Sequence, residues 1–293
     1  MTQELTTIDG YNLPADIEGY DENIAEMMGM GSEDEFNTLP RLKINRDFDD
    51  DAGNELPPGT FHLALNGVDY FAKSVIFRPF VNRMRVEHWV EGDSGWGVSN
   101  RTIYVPDWSH EMIDESGGTR CGKLKAKNRG DYSDDQLKAM GDKDKKMFRY
   151  VWGTVRIPNA VNRKGEQVSL DEPTPVFLKL QGSNFVPFDD EVIKGIKRKG
   201  LLPNFEATCT LERKKNGATT YYIAHFAVDP SNRLPMTQDD VVLLRQFMDT
   251  IKYENDQVRT KFDKAIAKQS KVVDAEYAMS ELSSDLEDDD IPF

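Results

Sequence analysis

Between residues 41 and 228 apolar and polar positions alternate in short runs, the pattern of half-buried strands. "RLKINRD" (41–47) and "TFHLALN" (60–66) flank the turn-rich "DDDAGNELPPG". "DYFAKSVIF" (69–77) and "FVNRMRVEHWV" (80–90) follow as two strands joined around Pro79, and "EGDSGWGVSN" reads as a loop before a strand "RTIYV" (101–105). Residues 106–131 have no clear periodicity and read as a long insertion. "MFRYVWGTVRI" (147–157), "PVFLKLQG" (175–182), "FEATCTLERK" and "TTYYIAHFAV" complete the strands. Asn216-Gly217 between the last two is a hairpin signature.

Helical signals are fewer. Ser133 with Gln136 three residues on predicts a capped helix start, and Asp134 and Asp135 suit its first turn. Asp189 predicts the cap of a short helix, "DEVIKGIKRK", closed by Gly200 and stopped by Pro203. Thr237 opens a long helix to about residue 269, with Leu244, Met248, Ile251, Val258, Phe262 and Ile266 near one face. "NIAEMMGMGSEDEF" has the makings of a short helix inside an otherwise loosely ordered start. The whole is expected to be mainly β (α+β), a small antiparallel barrel with helical insertions, or a sandwich.

Charge changes the picture only once it is divided. The 293 residues carry a net charge of −14. Residues 1–40 hold ten Asp/Glu and residues 281–293 six, with no Lys or Arg in either, which leaves 37 basic against 35 acidic side chains between them. An acidic whole therefore does not exclude a polyanionic partner, because the potential at the contact decides. The first residues have neither the basic nor the apolar region of a signal peptide, and no run of about 18 apolar residues predicts a membrane span. Two isolated thiols, Cys121 and Cys209, suit a reducing cytoplasm.

Catalytic patterns are thin. No P-loop, GxSxG, HExxH or dinucleotide fingerprint is present. His62, His88, His110 and His225 are scattered, and His110 with Cys121 falls short of a zinc ligand set. No enzyme activity, metal or cofactor is expected. Binding patterns are stronger. On "FRYVWGTVRI", Val151, Val155 and Ile157 share one strand face, while Phe148, Tyr150, Trp152, Thr154 and Arg156 share the other. "FVNRMRVEHWV" divides likewise, with Phe80, Met84, Val86, His88 and Val90 opposite Arg83, Arg85 and Trp89. Aromatics beside arginine suit single-stranded nucleic acid, whose bases stack while cations neutralise phosphates. The competing expectation is core: where helices wrap a barrel, both faces of a strand are buried. Basic clusters add to the binding reading: Arg120, Lys123, Lys125, Lys127 and Arg129; Lys143, Lys145, Lys146 and Arg149; Lys197, Arg198 and Lys199; Arg213, Lys214 and Lys215. Taken singly, each equally suits a solvated face.

The chain finishes "DLEDDDIPF". Solvation accounts for the aspartates but gives Ile-Pro-Phe no role. "DDDIPF" (288–293) resembles the acidic tip of bacterial single-stranded DNA-binding proteins. That resemblance implies a docking peptide, with Ile291, Pro292 and Phe293 entering a partner's pocket and Asp288, Asp289 and Asp290 steering toward basic rims. The body is similar in layout to the larger single-stranded DNA-binding proteins of bacteriophages, which implies an elaborated OB-fold. The expected organisation is an acidic segment (1–38), an OB-fold-like domain (39–232), a C-terminal helix (233–270) and a flexible, disordered acidic tail (271–293). The expected function is non-sequence-specific binding and protection of single-stranded DNA in phage replication, recombination and repair, in the host cytoplasm. Its expected partners are the DNA, replication or recombination proteins at the tip, and another copy through self-association. DNA contacts are expected from Arg83, Arg85, Trp89, Lys125, Lys127, Arg129, Arg149, Tyr150, Trp152 and Arg156. A DNA-processing enzyme or nuclease accessory is the alternative.

Overall fold

A computed structural model describes residues 5–8, 11–14, 39–45, 57–92, 95–197 and 199–284. The chain divides into two units, Met1–Leu39 and Pro40–Phe293. In the first, β1 (Leu5–Ile8) and β2 (Tyr11–Pro14) form an antiparallel pair. The expected helix at "NIAEMMGMGSEDEF" lies outside the described residues.

The second unit is mainly β. Its strands are β3 (Arg41–Asn45), β4 (Thr60–Leu65), β5 (Val68–Ala72), β6 (Ser74–Gly92), β7 (Gly95–Arg101), β8 (Lys145–Val161), β9 (Gln167–Gln181), β10 (Ala207–Asn216) and β11 (Thr219–Val228). Strands β3, β4, β5, β8 and β9 follow one another around a closed five-stranded barrel, and a parallel pairing of β3 with β9 completes the ring. Beyond the ring, β6 lies along β8, carries β7 on one stretch and pairs with β10, which leads to β11. The aliphatic face of β8 (Val151, Val155, Ile157) fills the barrel with Leu42, Phe61, Leu63, Val176 and Leu178. Burying one such side chain contributes about 1.5–3 kcal/mol.

A long helix, Gln238–Ser284, packs across β6 and the 102–121 segment. It runs past the expected end near residue 269. Phe247, Ile251 and Val258 are its buried apolar residues among those described, and Phe247 meets Phe80 edge-on at 5.8 Å. Met248 and Ile266, expected on that face, are exposed, because Phe247 fills the site against Phe80 and turns the helix accordingly. Asn255 clamps Tyr104 by accepting from its N–H (2.6 Å) and donating to its carbonyl (3.0 Å). Among the described residues no helix is long and apolar enough to cross a membrane.

Several local expectations change. Pro79 does not separate two strands: β6 runs through it, because the ladder with β8 shifts register between Pro79 and Val81, a bulge where the missing N–H costs nothing. Residues 95–100, expected as loop, form β7 against β6 together with Arg101, whereas 102–105, expected as strand, make only isolated bridges. Asp189 caps no helix. The helical segment starts earlier, at Phe185, and continues through a π-helical stretch at Phe188–Ile193 to Ile196. The capping box at Ser133 and Gln136 is present, and β10 turns into β11 through Gly217 at φ +59°.

The start of the long helix gives a prediction about acid. Asp240 accepts both guanidinium nitrogens of Arg78 (2.9 and 3.0 Å) and the Thr237 N–H (2.8 Å). Burial alone would raise its pKa, but the Thr237 and Arg78 hydrogen bonds outweigh burial and hold it below the usual carboxylate value. A depressed pKa contributes stability that is present above the unfolded value of about 3.9 and is lost as pH falls through the folded one. Acid should therefore loosen the helix, and Asp240→Asn should flatten that part of the acid transition. Identical acid unfolding curves for the two proteins would remove Asp240 from the account.

Candidate nucleic-acid interface

The aromatic face of β8 is not a surface. Tyr150 and Trp152 are 6 % and 3 % exposed. Tyr104 sits edge-on to both rings, at 5.0 and 5.1 Å, beneath the C-terminal helix. Arg85 is buried there too: it donates to the Thr102 carbonyl (2.9 Å) and Glu254 (2.8 Å) and lies over Tyr104. Glu87 is the hub of this layer, accepting from the Tyr150 hydroxyl, Lys179 (2.7 Å) and the Trp89 indole (3.1 Å). Burial pushes the Tyr104 and Tyr150 hydroxyls well up, so both remain neutral, and Tyr150 donates to Glu87. Expecting Tyr150, Trp152 and Arg85 at an open groove is therefore corrected. Alternation gives the aromatic side of the strand; the 102–105 segment and a helix a hundred residues downstream decide that it is covered.

Other expected residues are also occupied elsewhere. Arg149 is fully buried, ion-pairs with Asp189 (2.7 Å) and lies over Phe188 and Phe185, so it is a floor rather than a contact. Arg156 pairs with Glu206 (2.8 Å). Arg83 is half-buried and donates to the Asn82 carbonyl and the Met248 sulfur. Trp89 is half-buried at the rim of the aromatic layer. Lys197 and Lys199 end the 185–196 segment, and Arg213, Lys214 and Lys215 approach the β10–β11 turn. Asp288–Phe293 lie outside the described residues.

Two of the basic clusters do converge. Lys123 and Arg129 from the 106–131 insertion, with Lys143, Lys145, Lys146 and Met147 at the start of β8, line a groove of about 560 Å³. Trp108, Asp142, Gln181, Gly182, Phe185 and Asp189 complete its lining. The Trp108 and Phe185 rings are 5.7 Å apart, tilted by 57°. Five cations thus face two carboxylates, Asp142 and Asp189. Asp142 is shared by Arg129 (3.1 Å) and Lys123 (3.7 Å), and burial lowers the Lys123 pKa against that attraction. Lys145 donates to the carbonyls of Met140 (2.9 Å) and Gly122 (3.4 Å), which orient the ammonium without neutralising it. Lys143 and Lys146 are exposed. Lys125 and Lys127 are exposed in the same insertion, outside the lining.

Beyond Trp108 the insertion is tied together by a buried carboxylate. Asp114, fully buried, accepts the N–H groups of Ser116 (3.0 Å), Gly118 (3.2 Å) and Cys121 (2.8 Å) and the Asn100 amide (3.2 Å). That network holds Arg120 and Cys121 at positive φ, where side chains other than glycine's are strained. Trp108 and Phe185 escaped the sequence reading because neither sits in a periodic segment. The only signal was an aromatic residue within an insertion rich in lysine and arginine.

No family model matches this chain, and neither does any curated protein or solved structure. Among the described residues, no group of three or more His, Cys, Asp or Glu is placed to hold a metal.

Proposed function

We propose that this protein binds single-stranded DNA without sequence preference, protecting exposed strands in bacteriophage replication, recombination and repair, and that it is not an enzyme. The observation that carries this reading is the groove in which Lys143, Lys145 and Lys146 stand beside the Trp108–Phe185 pair. Cations neutralise backbone phosphates and an aromatic face accepts any base, so the combination tolerates sequence. An unpaired base reaches a recessed aromatic pair; a base inside a duplex does not. On this reading the barrel serves as an OB-like scaffold. Its five-strand closure supports that likeness, while its strands follow one another in chain order rather than by Greek-key connections. The protein acts in the host cytoplasm.

Titration with oligo-dT and with a matching duplex, at low salt, tests the function. The single strand should bind more tightly, and equal or absent binding of oligo-dT would end the proposal.

The carboxyl-terminal "DDDIPF" serves partner docking, a reading supported by its sequence alone. Deleting Phe293 leaves every aspartate in place but removes the aromatic anchor, a loss commonly worth about 2 kcal/mol or more. Binding to replication and repair proteins that recognise bacterial tips should fall at least about tenfold by calorimetry. Affinity for oligo-dT should stay within about twofold. Retained partner binding would reduce the tip to a solvating tail.

A further inference from the structure

The aromatic face that the C-terminal helix covers at Tyr150 and Trp152 emerges into solvent farther along β6. There β7 pairs with β6, with Trp96 opposite Glu91 and Val98 opposite Trp89. Trp96 is 55 % exposed and Val98 43 %. The Lys146 ammonium lies 5.6 Å from the Trp89 ring and 5.8 Å from the Trp96 ring, so one cation touches both indoles. Lys146 also lines the basic groove. The exposed indole is thus continuous with the groove through a shared lysine. Among charged neighbours, Lys179 is held by Glu87, and Glu91 stands opposite Trp96 as an exposed carboxylate. Lys146 can therefore hold a phosphate beside Trp96, while the indole itself, with Glu91 opposite, suits an uncharged base.

We propose that Trp96 is a second stacking site, taking a base of the same single strand after it crosses Lys146 from the groove. The inference rests on the single-stranded DNA reading and adds a direction and a length to it. A strand occupying only the groove does not reach Trp96; a longer one does. Stacking on an aromatic residue is sequence-tolerant, so the ligand class is unchanged and the footprint grows.

The test compares wild-type protein, Trp96→Ala and Trp96→Phe across oligothymidylates from about 4 to about 16 nucleotides, the span of known single-domain footprints. Trp96→Ala should match wild type on the shortest oligomer and bind the longest about tenfold more weakly, and Trp96→Phe should recover most of that loss. Equal affinity of Trp96→Ala and wild type at every length would overturn the inference and leave the hairpin face to protein contacts, with the groove reading intact. A loss of the same size at every length would also overturn it, by placing Trp96 inside the primary site. Wild-type protein that binds none of the oligomers would overturn both readings. Trp96 is largely exposed, and unchanged thermal unfolding of the variants verifies that binding alone is measured.

Discussion

Glutamine in place of Lys143, Lys145 and Lys146 together should lower affinity for oligo-dT by roughly two to three orders of magnitude at about 50 mM salt. Each phosphate neutralised on a single strand releases counterions and contributes about 0.7 to the slope of log affinity against log salt. Three such contacts, referred to 1 M salt, amount to a factor of several hundred at that concentration. Glutamine keeps a hydrogen-bond donor at position 145, where the lysine donates to the carbonyls of Met140 and Gly122. Lys143 and Lys146 are exposed, and their replacement should leave unfolding temperature nearly unchanged. A folded triple variant that binds within about threefold of wild type would move the interface away from this groove.

The second large effect is on stability. Gly153 lies where β8 pairs with Pro79 at the β6 bulge. A Cβ there would stand 2.3 Å from the Arg78 carbonyl oxygen and 2.9 Å from the Phe77 ring. The first neighbour is backbone in a paired strand and the second a fully buried ring, so neither yields cheaply. Gly153→Ala should cost at least about 3 kcal/mol, at the upper end of overpacking penalties. In a domain of this size that lowers the unfolding temperature by roughly 6–12 °C. A shift of less than about 2 °C would mean that the bulge opens freely and that β6 and β8 are not tightly locked there.

What could be read from the chain follows the range of the interactions involved. Strands at 41–45, 60–65, 147–157 and 175–181 were legible because alternation is a local property of a half-buried strand. Ser133 with Gln136 and Asn216-Gly217 were legible for the same reason, since caps and tight turns are closed within a few residues. Pro79 misled because a bulge depends on the partner strand. A glycine within the strand "YVWGTV" was the available hint of close backbone approach at that same place. The proposed binding face was half legible. Period-two alternation separated Tyr150 and Trp152 from Val151 and Val155, but burial of the aromatic side depends on Tyr104, Glu254 and Asn255, which only the tertiary fold brings there. The basic clusters at 123–129 and 143–146 were visible as composition. Their convergence on Trp108 and Phe185 was not, because those rings arrive from an aperiodic insertion and from a helical turn after β9.

The central claim is that phosphates of a single strand meet Lys143, Lys145 and Lys146 in the groove. The most direct measurement is the salt dependence of oligo-dT affinity for wild-type protein and the triple glutamine variant, on an oligomer long enough to saturate the site. If the three lysines each neutralise one phosphate, the slope of log affinity against log salt should be shallower in the variant by about 2. Parallel lines, whatever their vertical separation, would show that these lysines make no phosphate contacts and would contradict the account.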